Sequence, residues 1–542
     1  MCRFLHKLLI LFTSLAASIG WTQERPNILF AFADDWGRHA SIYAKLDGSG
    51  TINDAIRTPN FDALAAEGVL FTNAFVNAPS CTPCRSSILT GQHFWRTGTA
   101  SILQGAVWDD SLQSWPILLE KNGYHIAYTW KVWGPGRPIN APFYPSKHAH
   151  VKGGRRYNNF SQSVTRLIAE DMSLAEAKEV MGEEIRRNFR GMLAARKDSQ
   201  PFAYWFGPTN VHRKWTRGSG KALWKIDPDE LEGKMPAFLP DVHEIRQDLA
   251  DYLGEAMAFD MALGILVEEL KRTGEYKNTL IAISGDHGPA GFPHGKCNLY
   301  DFGTRVSLAI KGPGVQGGRI VDDFVSLPDL AATFLQAGKV DPPEVMTSQS
   351  IWPTLESEES GLVDKKRTSV FLGRERHVAK ARAGMLPYPQ RAIRTKDYLF
   401  VINFKPDRFP LGDPYGLESG PEPSVEQLTM NTFVTLPDED AGPTKAWIVS
   451  NRNDTAVKPF FENAYGKRPR EELFDLNKDP DQMENLAADP AYASVVTALR
   501  KQLMTELAET EDPRLIDDGR FFETPPMAGP MPNKNHTKTK AQ

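Results

Sequence analysis

Cysteine is scarce in this sequence, and that scarcity excludes a fold held together by disulfide bonds. The 542 residues contain four cysteines, and Cys2 belongs to the extreme N-terminal segment. The other three are Cys81, Cys84 and Cys297, so at most one disulfide can form among them. A chain of this length needs apolar cores of its own, and it suits a large α/β domain followed by a smaller one.

An excess of positive charge is also lacking. The sequence has 63 lysines and arginines against 67 aspartates and glutamates, which gives a formal net charge of −4. Nucleic-acid binding usually leaves a basic footprint, and this composition has none. Beyond the first twenty residues no run is long and apolar enough to cross a bilayer. The sequence therefore predicts no nucleic-acid partner and no membrane span.

The first twenty residues predict a secretory signal peptide. Arg3 and Lys7 precede the apolar stretch 8–12, and small residues such as Ala17 and Gly20 follow it. This order is typical of a signal peptide that is removed on export. A membrane anchor is the alternative, but the apolar stretch is short against the roughly 17–25 residues that a spanning helix needs. We therefore expect a periplasmic or secreted protein.

The most specific pattern in the chain is Cys81-x-Pro83-x-Arg85, at the start of a segment that Gly91 is placed to end as a short helix. One interpretation takes Cys81 and Cys84 as a redox or zinc-binding pair. A zinc site would need a second pair of ligands, which the sequence does not offer, and neither a redox pair nor a zinc site gives Arg85 a role. A motif of this kind is decided by its structural surroundings.

Acidic residues follow two apolar segments that we predict to be buried parallel strands. Residues 27–33 lead into Asp34 and Asp35, and residues 279–283 lead through Ser-Gly into Asp286. Adjacent carboxylates repel each other unless a cation or hydrogen-bond donors neutralise them, although an aspartate after a strand can also form an Asx turn. Ligand groups gather at the carboxyl ends of parallel strands. These carboxylates can therefore converge on a hard cation such as calcium.

Together these segments resemble the type I, formylglycine-dependent sulfatases, especially the carbohydrate and heparan-type members. The resemblance implies an α/β, alkaline-phosphatase-like fold: a mixed sheet sandwiched by helices, with a smaller α+β C-terminal domain. It implies that Cys81 is oxidised to formylglycine by a formylglycine-generating or sulfatase-maturing enzyme. It also implies one calcium ion (Ca2+) held by Asp34, Asp35, Cys81, Asp286 and His287.

The same resemblance assigns the catalytic roles to Cys81, Arg85, Lys131, His212 and Lys296. In the family the hydrated aldehyde attacks sulfur, and a histidine at the position of His212 protonates the leaving oxygen. Positive side chains stabilise the sulfate oxygens. A lone histidine is otherwise more often structural than catalytic. Trp133 stands where the family commonly has a histidine, so the residue that handles the second proton of the hydrate is left unassigned.

Composition and the resemblance together divide the chain into four segments. We predict a signal peptide over residues 1–20, a catalytic sulfatase domain over 24–362, a C-terminal α+β subdomain over 369–520 and a disordered tail over 521–542. The polar stretch between the two domains reads as a boundary. The tail is rich in proline, lysine, threonine and asparagine and poor in residues that form a core.

A basic run early in the C-terminal part is the candidate substrate-binding segment, with Arg374, Arg376, His377 and Arg382. Such a run is usually a solvated face. In the family, however, the C-terminal domain leans over the mouth of the active site, where cations can bind a carboxylated or sulfated sugar. We therefore expect an enzyme that hydrolyses sulfate esters of sulfated carbohydrates.

Three other functions remain open on the sequence. An N-sulfoglucosamine sulfamidase has the same expected site and differs in the atom that bears the sulfate. A phosphodiesterase or phosphonate hydrolase of the same superfold also clusters aspartate and histidine around metals. A non-catalytic glycan-binding relative would be expected to have lost Cys81 or Arg85, and this chain keeps both.

The motif makes one direct prediction about the purified protein: Cys81 is formylglycine, and Cys84 is an ordinary thiol. Mass spectrometry of the tryptic peptide that ends at Arg85 measures this. Conversion of a CH2SH group to an aldehyde lowers the peptide mass, and alkylation then labels one thiol instead of two. Unmodified Cys81 in fully active protein would contradict the prediction.

Overall fold

The computed structural model describes residues 25–143, 147–197 and 199–523. The predicted signal peptide and most of the predicted tail lie outside these residues. Residues 521–523, at the start of the predicted tail, belong to a short helix whose Phe522 is buried. No helix of the described residues is long and apolar enough to cross a membrane.

A seven-stranded mixed sheet forms the centre of the larger part. Its strands are β1 (Asn27–Ala33), β2 (Val69–Phe75), β3 (His125–Trp130), β4 (Phe202–Gly207), β5 (Thr279–Gly285), β6 (Arg305–Lys311) and β7 (Arg319–Ser326). Their spatial order is β3-β4-β1-β5-β6-β2-β7. Strand β6 runs antiparallel to both of its neighbours, and the other neighbours pair in parallel. The central position of β1 explains its uninterrupted apolar sequence, because both of its faces are covered.

A second sheet of four antiparallel strands follows in the chain. Its strands are β8 (Ser369–Arg374), β9 (Gln390–Thr395), β10 (Tyr398–Asn403) and β11 (Glu471–Asp475), in the order β11-β10-β9-β8. The mixed sheet and this separate antiparallel sheet confirm the predicted fold class. The boundaries of the two predicted domains stay a prediction.

Helices cover both sheets. Those of the described residues are α1 (Ser41–Asp47), α2 (Pro59–Glu67), α3 (Cys81–Thr90), α4 (Trp115–Lys121), α5 (Phe160–Ala169), α6 (Leu174–Ala195), α7 (Ser219–Trp224), α8 (His243–Arg272), α9 (Asp301–Thr304), α10 (Asp329–Ala337), α11 (Trp352–Glu356), α12 (Val425–Met430), α13 (Pro443–Ser450), α14 (Lys458–Tyr465), α15 (Ala493–Glu509) and α16 (Arg520–Glu523). The apolar stripe of α8 indicated this long helix correctly.

Side chains of β1 alternate between two cores, as the period of a strand requires. Leu29 and Ala31 belong to the core that contains α6 and α8, whereas Phe30 and Phe32 belong to the core that contains α3, α4 and α10. The small sheet has the same two-sided arrangement. One of its faces packs on α15, and the other contacts side chains of the large part such as Tyr300.

Two strands of the seven-stranded sheet, β2 and β7, lack the continuous apolar pattern of its central strands. Strand β7 lies at the edge of the sheet, and exposed polar residues interrupt its apolar pattern. The register of β2 shifts near Asn73 against both neighbours, so its pattern is irregular as well. A strand that is covered on one side or bulged lacks the continuous apolar run by which the central strands were recognised.

Candidate active site

The carboxyl ends of β1 and β5 lie side by side and bring Asp34, Asp35 and Asp286 together. Ala33 is the register partner of Gly285 in this parallel pair. The backbone N–H of Asp35 donates to Asp286 Oδ1 at 2.8 Å. All three carboxylates are buried. Their meeting is the consequence of strand order that the sequence led us to expect.

Arg85 connects these carboxylates. Its Nη2 lies 2.9 Å from Asp34 Oδ1, and its Nε lies 2.9 Å from Asp286 Oδ2. Its Nη1 donates to the carbonyls of Lys131 and Val132. Burial opposes ionisation of Asp34, but Lys131 and Arg85 hold the pKa of this carboxyl well below its usual value. One fully buried guanidinium thus fixes the ends of two strands against helix α3 and the loop after β3.

Cys81 is the first residue of α3 and lies at its N-terminus, next to His287. Its Sγ is 3.5 Å from His287 Nε2. The Nδ1 atom of His287 lies 3.0 Å from the carbonyl of Gly288. Because a carbonyl can only accept, Nδ1 is the donor in this contact, and Nε2 faces the carboxylate cluster. Burial, with a smaller effect from Asp34, raises the pKa of Cys81 to about 12.

This setting disfavours the redox interpretation of Cys81 and Cys84. Burial raises the pKa of the Cys84 thiol well above its ordinary value, as it does for Cys81. Redox-active cysteines are instead partly exposed and have a lowered pKa. Among the described residues, Cys81, Cys84 and Cys297 are all free and buried.

Lys131 follows β3 and places its Nζ 2.6 and 2.7 Å from the two oxygens of Asp34. Asn140 holds this loop, since its Oδ1 accepts the N–H groups of Val132 and Trp133. Trp133 itself is buried and donates from Nε1 to Ser86 Oγ at 2.8 Å. The side chain at the position where the family commonly has a histidine is therefore part of the core, whereas the imidazole that contacts Cys81 is that of His287.

Lys296 and His212 form the opposite side of the cluster. Lys296 Nζ lies 3.3 Å from Asp35 Oδ1 and 3.2 Å from His212 Nε2. His212 Nδ1 lies 2.6 Å from the carbonyl of Arg213, so this nitrogen donates and Nε2 points into the site. The His212 side chain is 31% exposed, against 4% for Lys296. His212 therefore lies where the site opens to solvent.

Helix α8 anchors the loop that carries His212, a role that its apolar stripe did not reveal. Both oxygens of Asp248 accept from the guanidinium of Arg213, at 2.8 and 2.7 Å. Glu255 accepts from the side chain of Asn210, and Asp251 accepts backbone N–H groups at the start of α7. Burial raises the pKa of Asp251 to about 6 and that of Glu255 to about 7.

Asp440 is a site residue that the sequence reasoning missed. Its Oδ2 lies 3.4 Å from Lys296 Nζ. Burial opposes its ionisation, but Lys296 and His212 hold the pKa of this carboxyl below its ordinary value. The acidic triplet Asp438-Glu439-Asp440 was the available signal, although nothing in the sequence placed it beside residues of the large sheet.

Two of the predicted substrate-binding residues have partners inside the protein. Arg374 and Arg382 both pair with the buried carboxylate of Asp438, at 2.7 and 2.9 Å. Arg382 also donates to backbone carbonyls at Phe409 and Pro410. The expectation of a basic surface lining the substrate entrance is therefore wrong for these two arginines, because their charge holds the C-terminal part together.

The other two predicted substrate-binding residues, His377 and Arg376, have different surroundings. His377 Nδ1 lies 2.8 Å from the hydroxyl of Ser80, just before Cys81, and burial lowers the pKa of His377 to about 3, so it is neutral at pH 7. Arg376 is 2% exposed and reaches the carbonyl of Gln104 at 3.3 Å. Its Nε has no hydrogen bond, and no ion pair is found for it within the described part of the chain.

The residues at the strand ends fit a single hard cation. Ligand atoms of Asp34, Cys81 and Asp286 lie within 4.8 Å of one another, and so do those of Asp35, Cys81 and His287. Two ligands at the 2.3–2.6 Å typical of calcium lie at most about 5 Å apart. The Nε2 atom of His287 also lies 3.4 Å from Asp35 Oδ1, so this nitrogen and this carboxylate oxygen border the same small space as Cys81.

Residues 26–340 match the family model described as sulfatase. The chain belongs to the sulfatase family. It is a sulfuric ester hydrolase, and the resemblance on which the sequence interpretation rested is confirmed.

Curated relatives of this sulfatase cover most of its length. The human N-sulphoglucosamine sulphohydrolase is 28% identical over 553 aligned residues, which cover 96% of this chain and 98% of the relative. An ulvan-active sulfatase of Formosa agariphila is 23% identical over 89% of this chain and 74% of the relative.

Several solved structures of other proteins have the same fold as this sulfatase. The protein BT4656, in complex with its substrate D-glucosamine-2-N,6-O-disulfate, aligns with a TM-score of 0.58 and 19% identity, over 90% of this chain and 99% of its own. A phosphonate monoester hydrolase from Silicibacter pomeroyi aligns with the same TM-score and identity, over 91% and 97% of the two chains. Because the two likenesses are equal, the fold alone does not separate sulfatase from phosphonate hydrolase.

The cluster predicts that the purified sulfatase binds one calcium ion per chain. Asp35→Asn should weaken calcium binding, because it replaces an anionic ligand with a neutral one. Elemental analysis measures the number of calcium ions per chain, and calorimetric titration measures the affinity for calcium. The exposed Asp110→Asn is the matched control and should bind calcium as the wild type does. A bound pair of zinc ions, or full activity after complete removal of metal, would contradict the prediction.

Proposed function

We propose that this sulfatase is exported and hydrolyses sulfate groups of sulfated carbohydrates, with formylglycine at position 81 and one calcium ion as its cofactors. The observation that carries the proposal is the interleaving of three cations with three carboxylates around Cys81. Arg85, Lys131 and Lys296 all lie within 3.5 Å of a carboxylate oxygen of this cluster. Such an arrangement concentrates positive charge without leaving any of it uncompensated when substrate is absent.

A sulfate monoester is an anion, so its binding requires fixed positive charge. Lys131 and Lys296 approach the cluster from opposite loops, after β3 and after β5. Burial opposes their charged form, but the adjacent Asp34 and Asp35 raise the pKa of each ammonium. Both lysines therefore stay protonated at neutral pH. We assign to them the binding of sulfate oxygens and the stabilisation of charge that develops there during the reaction.

His212 is placed to deliver a proton to the leaving atom. Its Nδ1–H is held by a backbone carbonyl, and its Nε2 points toward Lys296 at the open side of the site. When protonated, Nε2–H can donate to an oxygen or nitrogen that departs toward solvent. The bidentate pair between Arg213 and Asp248 keeps this loop in place. His212 is thus the general acid of the proposal, and Asp248 is a positioning residue.

Asp34, Asp35, Asp286 and His287 would hold the calcium ion, close to Cys81. When bound, the ion would supply a Lewis acid, and formylglycine, once water has added to its aldehyde, would supply a hydroxyl group as the nucleophile. The helix N-terminus at Cys81 adds a favourable electrostatic environment for an anion. Ser80 fixes the start of this helix through its contact with His377.

Arg376 supports an anionic glycan as substrate. A buried guanidinium without a carboxylate partner is costly, unless an anion from solution completes the pair. Arg376 adjoins His377, which contacts the residue before Cys81. We propose that Arg376 binds a carboxylate or a second sulfate of the glycan. The name of the human relative and the ligand of BT4656 both concern sulfated glucosamine, which agrees with a sugar of this class.

N-sulfoglucosamine is the second candidate substrate, and a specific observation favours it. The relative named N-sulphoglucosamine sulphohydrolase aligns over almost the full length of both chains. The proposed general acid serves either reaction, because protonation of the leaving nitrogen or oxygen requires the same Nε2–H of His212.

The test of the substrate class is release of inorganic sulfate from a panel of sulfated glycans, scored separately for N-linked and O-linked groups. We expect Arg376→Ala to lower turnover of the best glycan by about tenfold to a hundredfold, the size of one charge-assisted contact. Turnover of 4-nitrophenyl sulfate should stay almost unchanged, because that substrate has no second anion.

Lys380→Ala is the matched control, since Lys380 is an exposed cation in the same segment. It should behave as the wild type on both substrates. Equal losses on the glycan and the aryl sulfate in Arg376→Ala, or no loss on either, would refute the role of Arg376. Sulfate release from none of the glycans would refute the proposed substrate class.

A further inference from the structure

We propose that Asp440 sets the specificity of this site by accepting a hydrogen bond from a hydroxyl group next to the scissile sulfate. The same carboxylate would disfavour substrates that carry a second anionic group at that neighbouring position. The inference rests on the proposed function and names a finer property of its substrate: a sugar whose hydroxyl beside the sulfated position is free.

The position of Asp440 relative to the reacting groups is well defined. Lys296 Nζ lies between three groups: Asp35 Oδ1 at 3.3 Å, His212 Nε2 at 3.2 Å and Asp440 Oδ2 at 3.4 Å. Asp440 therefore lies on the side of the site where His212 would meet the leaving group. Among the residues that the structure describes, three groups of side chains could hold a metal ion, and Asp440 belongs to none of them.

The backbone around Asp440 is fixed by the same arginine that follows His212. A side chain at Gly442 would bring its Cβ within 2.6 Å of Arg213 Nη1, so this glycine allows the guanidinium to pack against the segment. Asp248, which holds Arg213, also accepts from the hydroxyl of Thr444 at 2.6 Å. The segments that carry Asp440 and His212 are thus held in fixed positions relative to each other, as a specificity contact requires.

A carboxylate at this position is unexpected, because the other side chains that would contact the substrate are cations that bind an anion. Asp440 offsets part of the charge of Lys296 and, by itself, repels a sulfate. Lys296 and His212 keep it ionised, and an ionised carboxylate can only accept hydrogen bonds. Within residues 25–143, 147–197 and 199–523, its buried Oδ2 has no hydrogen bond and one ion pair, with Lys296, while the side chain as a whole is 22% exposed.

The unused acceptor capacity can be satisfied by a donor on the substrate. A sugar that places its sulfate against Lys131 and Lys296 puts the leaving atom near His212 and the neighbouring ring substituent on the side of Asp440. A free hydroxyl there would donate to the carboxylate. A sulfate or carboxylate in the same place would face a like charge at short range. This combination explains why an acidic side chain occupies an anion-binding site.

The inference is tested with matched sugars. The probes are N-sulfoglucosamine and glucosamine 6-sulfate, each compared with a deoxy analogue. The N-sulfated analogue lacks the vicinal 3-hydroxyl, and the 6-sulfated analogue lacks the 4-hydroxyl, which is the nearest one because C5 has none. The wild type should have kcat/KM about tenfold to a hundredfold higher for the parent that it hydrolyses than for its deoxy analogue, as expected for a hydrogen bond to a charged group. In Asp440→Ala this ratio should fall to near one.

The ratio of kcat/KM for the parent sugar to that for its deoxy analogue reports the contact between Asp440 and the hydroxyl. An effect of the substitution on Lys296 cancels in this ratio, because Lys296 acts on the sulfate that both sugars share. Asp440→Asn, which keeps the shape, is the second variant and serves if Asp440→Ala does not fold. It should lower the same ratio in part and reduce discrimination against the analogue that carries a second sulfate on the neighbouring hydroxyl. The exposed Glu426→Gln, which removes one negative charge elsewhere in the C-terminal part, should keep the wild-type ratios.

An unchanged ratio in both Asp440 variants, even with lower overall activity, would overturn the inference and leave Asp440 as a partner of Lys296 alone. A wild type that hydrolyses the parent and the deoxy sugar equally would overturn it as well. These results differ from failure of the proposed function, in which the wild type would release no sulfate from any glycan of the panel, these two parent sugars included.

Discussion

The buried guanidinium of Arg85 holds the centre of this site together. It pairs with Asp34 after β1 and with Asp286 after β5, and it donates to two carbonyls of the loop after β3. Three separate segments of the chain thus meet at one side chain of helix α3. Loss of one partner from a buried ion pair leaves an uncompensated charge and typically costs about 3–5 kcal/mol. The geometry of the site and the stability of its surroundings therefore depend on the same contact.

The balance of charges around Arg85 also has a chemical consequence. The carboxylates hold the lysines in their protonated state, while the cations keep Asp34 ionised. Binding of a cation to the carboxylates would release part of the positive charge toward an anionic substrate. Cofactor and substrate sites are thus electrostatically linked in the proposed enzyme, since each alters the charge that the other meets.

The central strands and their carboxyl-end residues could be predicted because local sequence determines them. A buried parallel strand reads as an apolar run, and strand order then brings Asp34, Asp35 and Asp286 together. Local sequence does not contain the partners that the C-terminal part supplies. Arg374 and Arg382 looked like a free basic run until Asp438 was seen between them, and Asp440 meets Lys296 across more than a hundred residues of chain. The role of Trp133 could not be predicted for the same reason, because its burial against Ser86 depends on tertiary packing.

The most direct test of the account compares turnover of 4-nitrophenyl sulfate with that of 4-nitrophenyl phosphate by the calcium-loaded wild-type protein. The two esters share a leaving group, so the ratio of kcat/KM reports how the cluster around Cys81 treats the transferred group. The account predicts a higher kcat/KM for the sulfate ester. A higher value for the phosphate ester would contradict it and assign the site to the phosphoryl or phosphonyl chemistry found on the same fold.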